Sequence, residues 1–110
     1  MTLQHASQAE GKWQTLTLYE QMGNIGTEIG RMRRAENRNN EEAMQNATDR
    51  ALELLDLTIA DPRRTNQLKE IARAREVLLD ALSEKPEYGS NLADIDKYFM
   101  QFAIAARLNR

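Results

Sequence analysis

The chain is 110 residues long, with 41% hydrophobic and 29% charged residues, no cysteine and a formal net charge of −2. This length predicts one domain, and the missing cysteine excludes disulfides, thiolate zinc sites and cysteine nucleophiles. Fifteen basic against seventeen acidic residues provide no overall attraction to nucleic acid or to an anionic membrane. No apolar run approaches the length of a membrane span, and we expect a cytoplasmic protein without a membrane partner.

Four helical segments are separated by polar or proline-containing breaks, and the few β-branched residues are scattered, which predicts an all-α fold. We expect residues 1–11 to form a frayed polar leader and residues 12–110 to form an antiparallel up-down-up-down four-helix bundle. Helices of matched length with short connections pack most simply in that way. The predicted helices cover about residues 12–36, 40–60, 63–83 and 91–108.

The first predicted helix carries an apolar seam with intervals of four and three residues, the spacing of packed helices. Its members are Leu18, Met22, Ile25, Ile29 and Met32.

Three glycines, Gly23, Gly26 and Gly30, form a stripe beside this seam. Each costs about 1 kcal/mol relative to alanine inside a helix, so the stripe needs a structural reason. It predicts a groove for close helix packing, either within the bundle or against another subunit. Within the bundle, the small residues of the second helix are the expected neighbours: Ala43, Ala47 and Ala51.

Asn39, followed three residues later by Glu42, predicts a capping box at the start of the second helix. The third helix begins near Asp61 or Thr65. Arg75 falls on its apolar line, which predicts a buried ion pair that fixes register, with ligand binding as the alternative. The candidate partners are Glu20, Glu28, Asp49, Glu53, Asp56 and Glu76.

The fourth helix is apolar on nearly all sides, because only Gln101 is distinctly polar between residues 98 and 106. A helix of this kind must be buried all round, so we expect copies of the chain to associate through it. The alternative is that the leader, with Leu3 and Trp13, folds over the helix. The predicted oligomer interface contains Tyr98, Phe99, Phe102, Ile104 and Ala105.

Arginines are concentrated at the end of the first helix, and a second group is expected at the opposite end of the bundle. The macrodipole alone favours cations near helix C-termini. Alternatively, oligomerisation gathers one end into a basic ring that binds nucleic acid. The candidate nucleic-acid contacts are Arg31, Arg33, Arg34 and Arg38. The opposite group is Arg63, Arg64, Arg107 and Arg110.

Catalytic patterns are missing from the sequence. The single histidine, His5, lies in the predicted leader, and no helix carries the Glu-x-x-His pair of di-metal bundles. We therefore expect no enzymatic activity, metal, cofactor or small-molecule substrate.

The chain resembles small bacterial four-helix-bundle proteins in the order of its predicted helices and in the stretch from Tyr19-Glu20-Gln21-Met22 to Gly30-Arg31. These are of the type of the ribosomal-RNA intervening-sequence proteins and the accessory proteins of diversity-generating retroelements. The resemblance covers residues 13–108 and implies a ring-like homo-oligomer without catalysis. It also implies that nucleic acid is a possible partner, because some proteins of this type bind it through a basic surface. We therefore expect a self-associating interaction module, with a nucleic-acid-binding accessory protein as the alternative.

Overall fold

The computed structural model describes residues 6–108, with side chains from Glu10 onwards. This part of the chain contains helices and no strand, so the predicted all-α fold class is confirmed. In chain order the elements are α1 (Ala6–Trp13), α2 (Leu18–Asn37), α3 (Glu41–Ile59), a 3-10 helix (Pro62–Gln67), α4 (Leu68–Ala81) and α5 (Leu92–Leu108).

The start of α2 differs from the prediction, because a capping box places it at Leu18 rather than near residue 12. The Thr17 hydroxyl accepts a hydrogen bond from the Glu20 amide (3.1 Å), and the Glu20 carboxylate accepts one from the Thr17 amide (2.9 Å). The two bonds satisfy amides that have no partner within the helix. Residues 14–17 therefore form a turn between α1 and α2.

The described part of the predicted leader, residues 6–11, is helical and belongs to α1 (Ala6–Trp13). The Trp13 side chain is 6% exposed, and its indole Nε1 donates a hydrogen bond to Thr58 Oγ1 in α3 (2.9 Å). A large aromatic ring with one satisfied polar atom is well suited to this position, and it attaches α1 to the rest of the molecule. Residues 1–5 lie outside the described part.

Asn40, and not the predicted Asn39, caps α3. Its Oδ1 accepts a hydrogen bond from the Ala43 amide at 3.0 Å. Asn39 has a φ of 54°, in the left-handed region that asparagine tolerates better than most residues. The chain reverses at Asn39, and the extended residue after it becomes the cap.

The predicted third helix is two elements in the structure. Asp61 caps the 3-10 helix by accepting a hydrogen bond from the Arg63 amide (3.0 Å), and regular α-helix begins only at Leu68. At the last break, Asn91 and Asp94 form a reciprocal capping box before α5, close to the predicted start.

The core is formed by buried side chains from all five α-helices, and α2 has the most extensive contacts with its neighbours. The α2 seam occupies the core as predicted, apart from the half-buried Leu18. Full burial of such aliphatic and aromatic side chains contributes roughly 1.5–3 kcal/mol each. The largest fully buried apolar side chains are Met22, Ile25, Ile29, Met32, Leu55, Ile71, Leu78 and Phe99.

The helices differ in how closely they pack. The most extensive contacts join α2 to α3 and α2 to α5, whereas α4 has fewer contacts with α3 and fewer still with α5. None of the helices within residues 6–108 is both long and apolar enough to cross a lipid bilayer.

Candidate functional site

The outward side of α5 carries an exposed row of aliphatic side chains. Met100, Ile104 and Leu108 follow one another at four-residue intervals, so they lie on one side of the helix. Their exposed fractions are 52%, 44% and 78%. We call these three residues the α5 stripe.

Most of the predicted interface residues are used inside the chain. Phe99 is fully buried in the core, which corrects its assignment to an outer surface. Phe102 is half-buried, and its ring lies 5.4 Å from that of Tyr98 and 6.3 Å from that of Tyr19. Because α5 packs against α2 and borders α4, only its remaining side is exposed. Ile104 belongs to that side, whereas Ala105 is half-buried.

Tyr98 is half-buried beside α4, and its hydroxyl donates a 2.6 Å hydrogen bond to Glu70 Oε1. Burial and this carboxylate raise the pKa of Tyr98 well above its ordinary value of 10.0. The phenol therefore stays protonated at neutral pH and links α5 to α4 as a hydrogen-bond donor.

The described part of the leader does not occupy the outer side of α5. Trp13 is bonded to α3, and α1 packs on α3. The predicted alternative of a covering leader thus finds no support from Trp13, and Leu3 lies outside the described residues. The α5 stripe remains exposed within the single chain.

The glycine stripe faces α5 and not the alanines of α3. A Cβ added at Gly23 lies 3.3 Å from Ala103 Cα, and one added at Gly26 lies 2.9 Å from Phe99 Cβ. At Gly30 the nearest atom is the flexible Arg34 guanidinium, at 3.5 Å. The glycines at 23 and 26 therefore lie against the chain's own last helix, and that part of the groove is not open to another subunit.

A groove between α2 and α3 gathers most of the predicted arginines. Arg31 and Arg34 belong to α2, Arg38 is the C-cap residue of that helix, and Arg50 joins them from α3. The groove has a volume of about 480 Å³, and Ala43, Asn46, Ala47 and Glu28 complete its lining. With four arginines and one glutamate, its local net charge is +3, in a chain whose total charge is −2. We call it the arginine groove.

Glu28 orders two members of the arginine groove. Its side chain is 5% exposed, and it pairs with Arg31 at 2.6 Å and with Arg50 at 3.6 Å. The predicted contact Arg33 lies elsewhere, because its guanidinium bonds Asp96 of α5 at 2.8 Å. The predicted set therefore loses Arg33 and gains Arg50.

Two arginines of the second predicted group are engaged in internal contacts. Arg63 bonds the carboxylate of Asp61 at 2.7 Å, and Arg64 donates to Gln21 Oε1 at 2.8 Å. Both also donate to the carbonyl oxygen of Leu16. These contacts tie the 3-10 helix to the turn before α2. Arg107 is exposed on α5, and Arg110 lies outside the described residues.

Asp61 is the centre of this buried network. Its side chain is completely buried, and Gln21 Nε2 also donates to it at 2.9 Å. The Arg63 hydrogen bonds hold the pKa of Asp61 far below its ordinary value of 3.8, against the opposing effect of burial, and the Gln21 bond lowers it further. Burial lowers the pKa of Arg64. Every buried polar side-chain atom in the described residues has a hydrogen-bond partner, which fits a structural network better than a reactive site.

Arg75 pairs with Asp56, one of the predicted partners, at 2.9 Å. The pair is not buried, since the side chains are 33% and 60% exposed. A long arginine side chain can cover apolar surface while its charged end stays in water, so a position on the apolar line does not require a buried charge.

A smaller, mainly apolar cleft of about 290 Å³ lies between α4 and α5, where Val77, Ile95 and Phe99 form its walls. At its edge, Arg73 belongs to the lining, and its guanidinium carbon lies 4.5 Å from the centre of the Tyr88 ring. The cleft reflects the loose packing of these two helices.

Sequence reasoning missed four participants: Met100 and Leu108 in the stripe, Arg50 in the groove, and Gln21 in the buried network. The first two were visible as a four-residue spacing around Ile104. Gln21 was visible as an amide directly beside the seam residue Met22. Arg50 had no local signal, because it joins the groove only through the pairing of α2 with α3.

No group of three or more His, Cys, Asp or Glu side chains within residues 6–108 is placed to hold a metal ion. No protein-family model, no curated protein and no solved structure matches this chain.

Proposed function

We propose that the chain is a non-enzymatic interaction module that associates with a second copy of itself through the α5 stripe. The observation that carries this proposal is the row of Met100, Ile104 and Leu108, which stays 44–78% exposed after the chain has folded. Aliphatic side chains arranged in a row on one helix expose a contiguous apolar surface, and burying it against another copy removes it from water.

The stripe is suited to a two-fold symmetric contact. A two-fold axis through Ile104 places the Ile104 side chains of both copies together and brings Met100 of each copy onto Leu108 of the other. Such a contact uses the same surface on both copies and closes without further growth. The row extends over nine residues of helix, about 12 Å from the first to the last, and forms a short antiparallel seam.

We also propose that α2, α3, α4 and α5 form an antiparallel four-helix bundle that presents this seam. Support comes from the α2–α5 contacts, in which Gly23, Gly26 and Arg33 meet residues of falling number: Ala103, Phe99 and Asp96. The Glu28–Arg50 pair between α2 and α3 is compatible with the same arrangement.

Cysteine cross-linking tests the two-fold contact directly, because the chain has no cysteine of its own. We expect Ile104→Cys to form a disulfide-linked dimer under mild oxidation, since the axis brings the two thiols together. Leu79→Cys is the matched control, as Leu79 is a similarly exposed aliphatic residue (39%) on α4. Equal cross-linking of both variants contradicts the proposal.

A charge on the stripe provides the second test. Light scattering of the unmodified protein should give a mass above that of a monomer, and Ile104→Glu should reduce it to the monomer with unchanged helical circular dichroism. Leu79→Glu should leave the mass unchanged. A monomeric unmodified protein at tens of micromolar overturns the proposal.

A further inference from the structure

The arginine groove differs from an ordinary charged surface because two of its four arginines form no ion pair with another described residue. Seven ion pairs are formed among the described residues, and none involves Arg34 or Arg38. Both side chains lie in a concave site beside Arg31 and Arg50, which Glu28 holds in place. The groove therefore holds two ordered guanidinium groups and two that are available to an anion.

The dimensions of the groove favour a chain of anionic groups over a single one. The seven residue steps from Arg31 in α2 to its C-cap residue Arg38 correspond to about 10 Å along the helix axis. Successive phosphates of one DNA strand advance about 3.4 Å along the duplex axis, so this length matches several phosphates. Every cation in the groove is an arginine, whose planar group forms paired hydrogen bonds with phosphate oxygens.

The lining argues against an anionic membrane as the partner. Membrane-surface binding combines basic residues with apolar side chains that enter the lipid. The large exposed apolar residues of the described chain lie outside the groove: Tyr19, Leu68, Leu79, Tyr88, Met100, Ile104 and Leu108. The groove also contains no aromatic ring on which an unpaired base could stack.

We infer that the arginine groove binds the phosphate backbone of duplex nucleic acid, without reading its sequence. Arg34 and Arg38 contact phosphates directly, together with Arg31 and Arg50, and Glu28 acts as a positioning residue for the latter two. The site is built within one chain, so the inference does not depend on self-association or on a basic ring.

Fluorescence anisotropy with short labelled duplexes tests this inference, with one DNA duplex and one RNA duplex of the same sequence as separate arms. We expect binding at low salt that weakens with added salt, with a slope of about −0.9 in log K against log salt for each DNA phosphate contacted. The double variant Arg34→Gln with Arg38→Gln should weaken binding at least about tenfold and reduce the slope by about 2.

The control is Arg33→Gln combined with Arg73→Gln, which removes the same charge from positions outside the groove. Its affinity should stay close to that of the unmodified protein. Equal losses in the two double variants overturn the inference, because they indicate a general charge effect. The inference is also overturned if the protein binds neither duplex. This holds even if the protein binds phosphatidylserine vesicles. Binding that depends on Arg34 and Arg38 supports it in either arm, and comparison of the arms shows whether DNA or RNA is preferred.

Discussion

At Gly26 the backbone of α2 approaches α5 so closely that a methyl group has no room. An added Cβ lies 2.9 Å from Phe99 Cβ, an atom attached directly to the α5 backbone. A Cβ added at Gly30, one helical turn further, meets only side-chain ends: the flexible Arg34 guanidinium at 3.5 Å and Asp96 Oδ1 at 4.0 Å. Close helix packing therefore requires glycine at position 26 but not at position 30, although the two positions look equivalent in the sequence.

This difference predicts opposite effects of alanine. Gly26→Ala gains about 1 kcal/mol of helix propensity but forces overpacking that costs about 1–3 kcal/mol, so we expect a net destabilisation of about 1 kcal/mol. Gly30→Ala should raise the free energy of unfolding by up to about 1 kcal/mol, because Arg34 can move aside. Urea denaturation followed by circular dichroism measures both. Equal stability of the two variants contradicts the close contact at Gly26.

At the scale of elements, Trp13 attaches α1 to α3 within the part of the chain whose side chains the structure describes. α1 is a helix of eight residues, too short to be stable alone in water, and it is attached through Trp13. The Trp13 indole bonds Thr58, whose hydroxyl in turn donates to the Leu54 carbonyl oxygen (2.7 Å). The docking of α1 on α3 therefore includes a hydrogen bond to one hydroxyl group in the last turns of α3.

Thr58→Val tests this anchor, because valine has a similar shape but cannot accept the indole hydrogen bond. We expect a loss of about 1–2 kcal/mol in the free energy of unfolding, since a buried N–H is left without a partner. Thr48→Val is the control: Thr48 also donates to a carbonyl oxygen one turn earlier in α3, that of Met44, and should change stability by less than about 0.5 kcal/mol.

The fluorescence of Trp13, the single tryptophan, reports the docking itself. Thr58→Val should shift its emission towards longer wavelength if α1 moves away from α3, and Thr48→Val should not. Unchanged emission and stability in Thr58→Val contradict the anchoring role.

At the scale of the whole molecule, the Asp61 network connects elements that are distant in sequence. Gln21 of α2 donates to Asp61 and also to the Trp13 carbonyl oxygen, both at 2.9 Å. Arg63 and Arg64 complete the network from the 3-10 helix. Asp61 and Gln21 together thus connect α1, the start of α2 and the segment after α3.

The lowered pKa of Asp61 makes the stability of the fold sensitive to acid. In the unfolded chain this carboxylate takes up a proton near its ordinary pKa of 3.8, whereas the folded protein keeps it charged to much lower pH. The unfolded state therefore binds more protons below this pKa, and the free energy of unfolding falls as the pH falls. The stabilisation is complete above about pH 5 and is lost progressively below about pH 4.

Asp61→Asn should cost about 2–3 kcal/mol at neutral pH, because it leaves buried arginine contacts without their charge. It should also remove this residue's part of the acid-induced decline. Asp49→Asn provides the control, since Asp49 is bonded only to Gln45 on the surface of α3. Urea denaturation between about pH 3 and about pH 7 measures both effects, because this range extends from below to well above the ordinary pKa of an aspartate carboxylate. An unaltered acid-induced decline in Asp61→Asn contradicts the assignment.

The candidate surfaces were only partly predictable. Ile104 was placed on the outer side of α5, but Phe99 was assigned there too and lies in the core. Both residues are apolar, and a helix that is apolar all round contains no periodic signal for which side faces its neighbours. The arginine groove shows the same limit. Arg33 and Arg34 are adjacent in sequence, but Arg33 pairs with Asp96 of α5 whereas Arg34 lines the groove.

The sequence alone determined the helical fold class, the seam of α2 and the approximate breaks, because apolar spacing, proline positions and capping residues act within a few residues along the chain. Tertiary structure decided that the glycines meet α5, that Arg50 joins the arginine groove and that one row of α5 remains exposed. These outcomes depend on which helices pair and how each is rotated about its axis. That choice arises from burying many side chains at once, and no single segment encodes it.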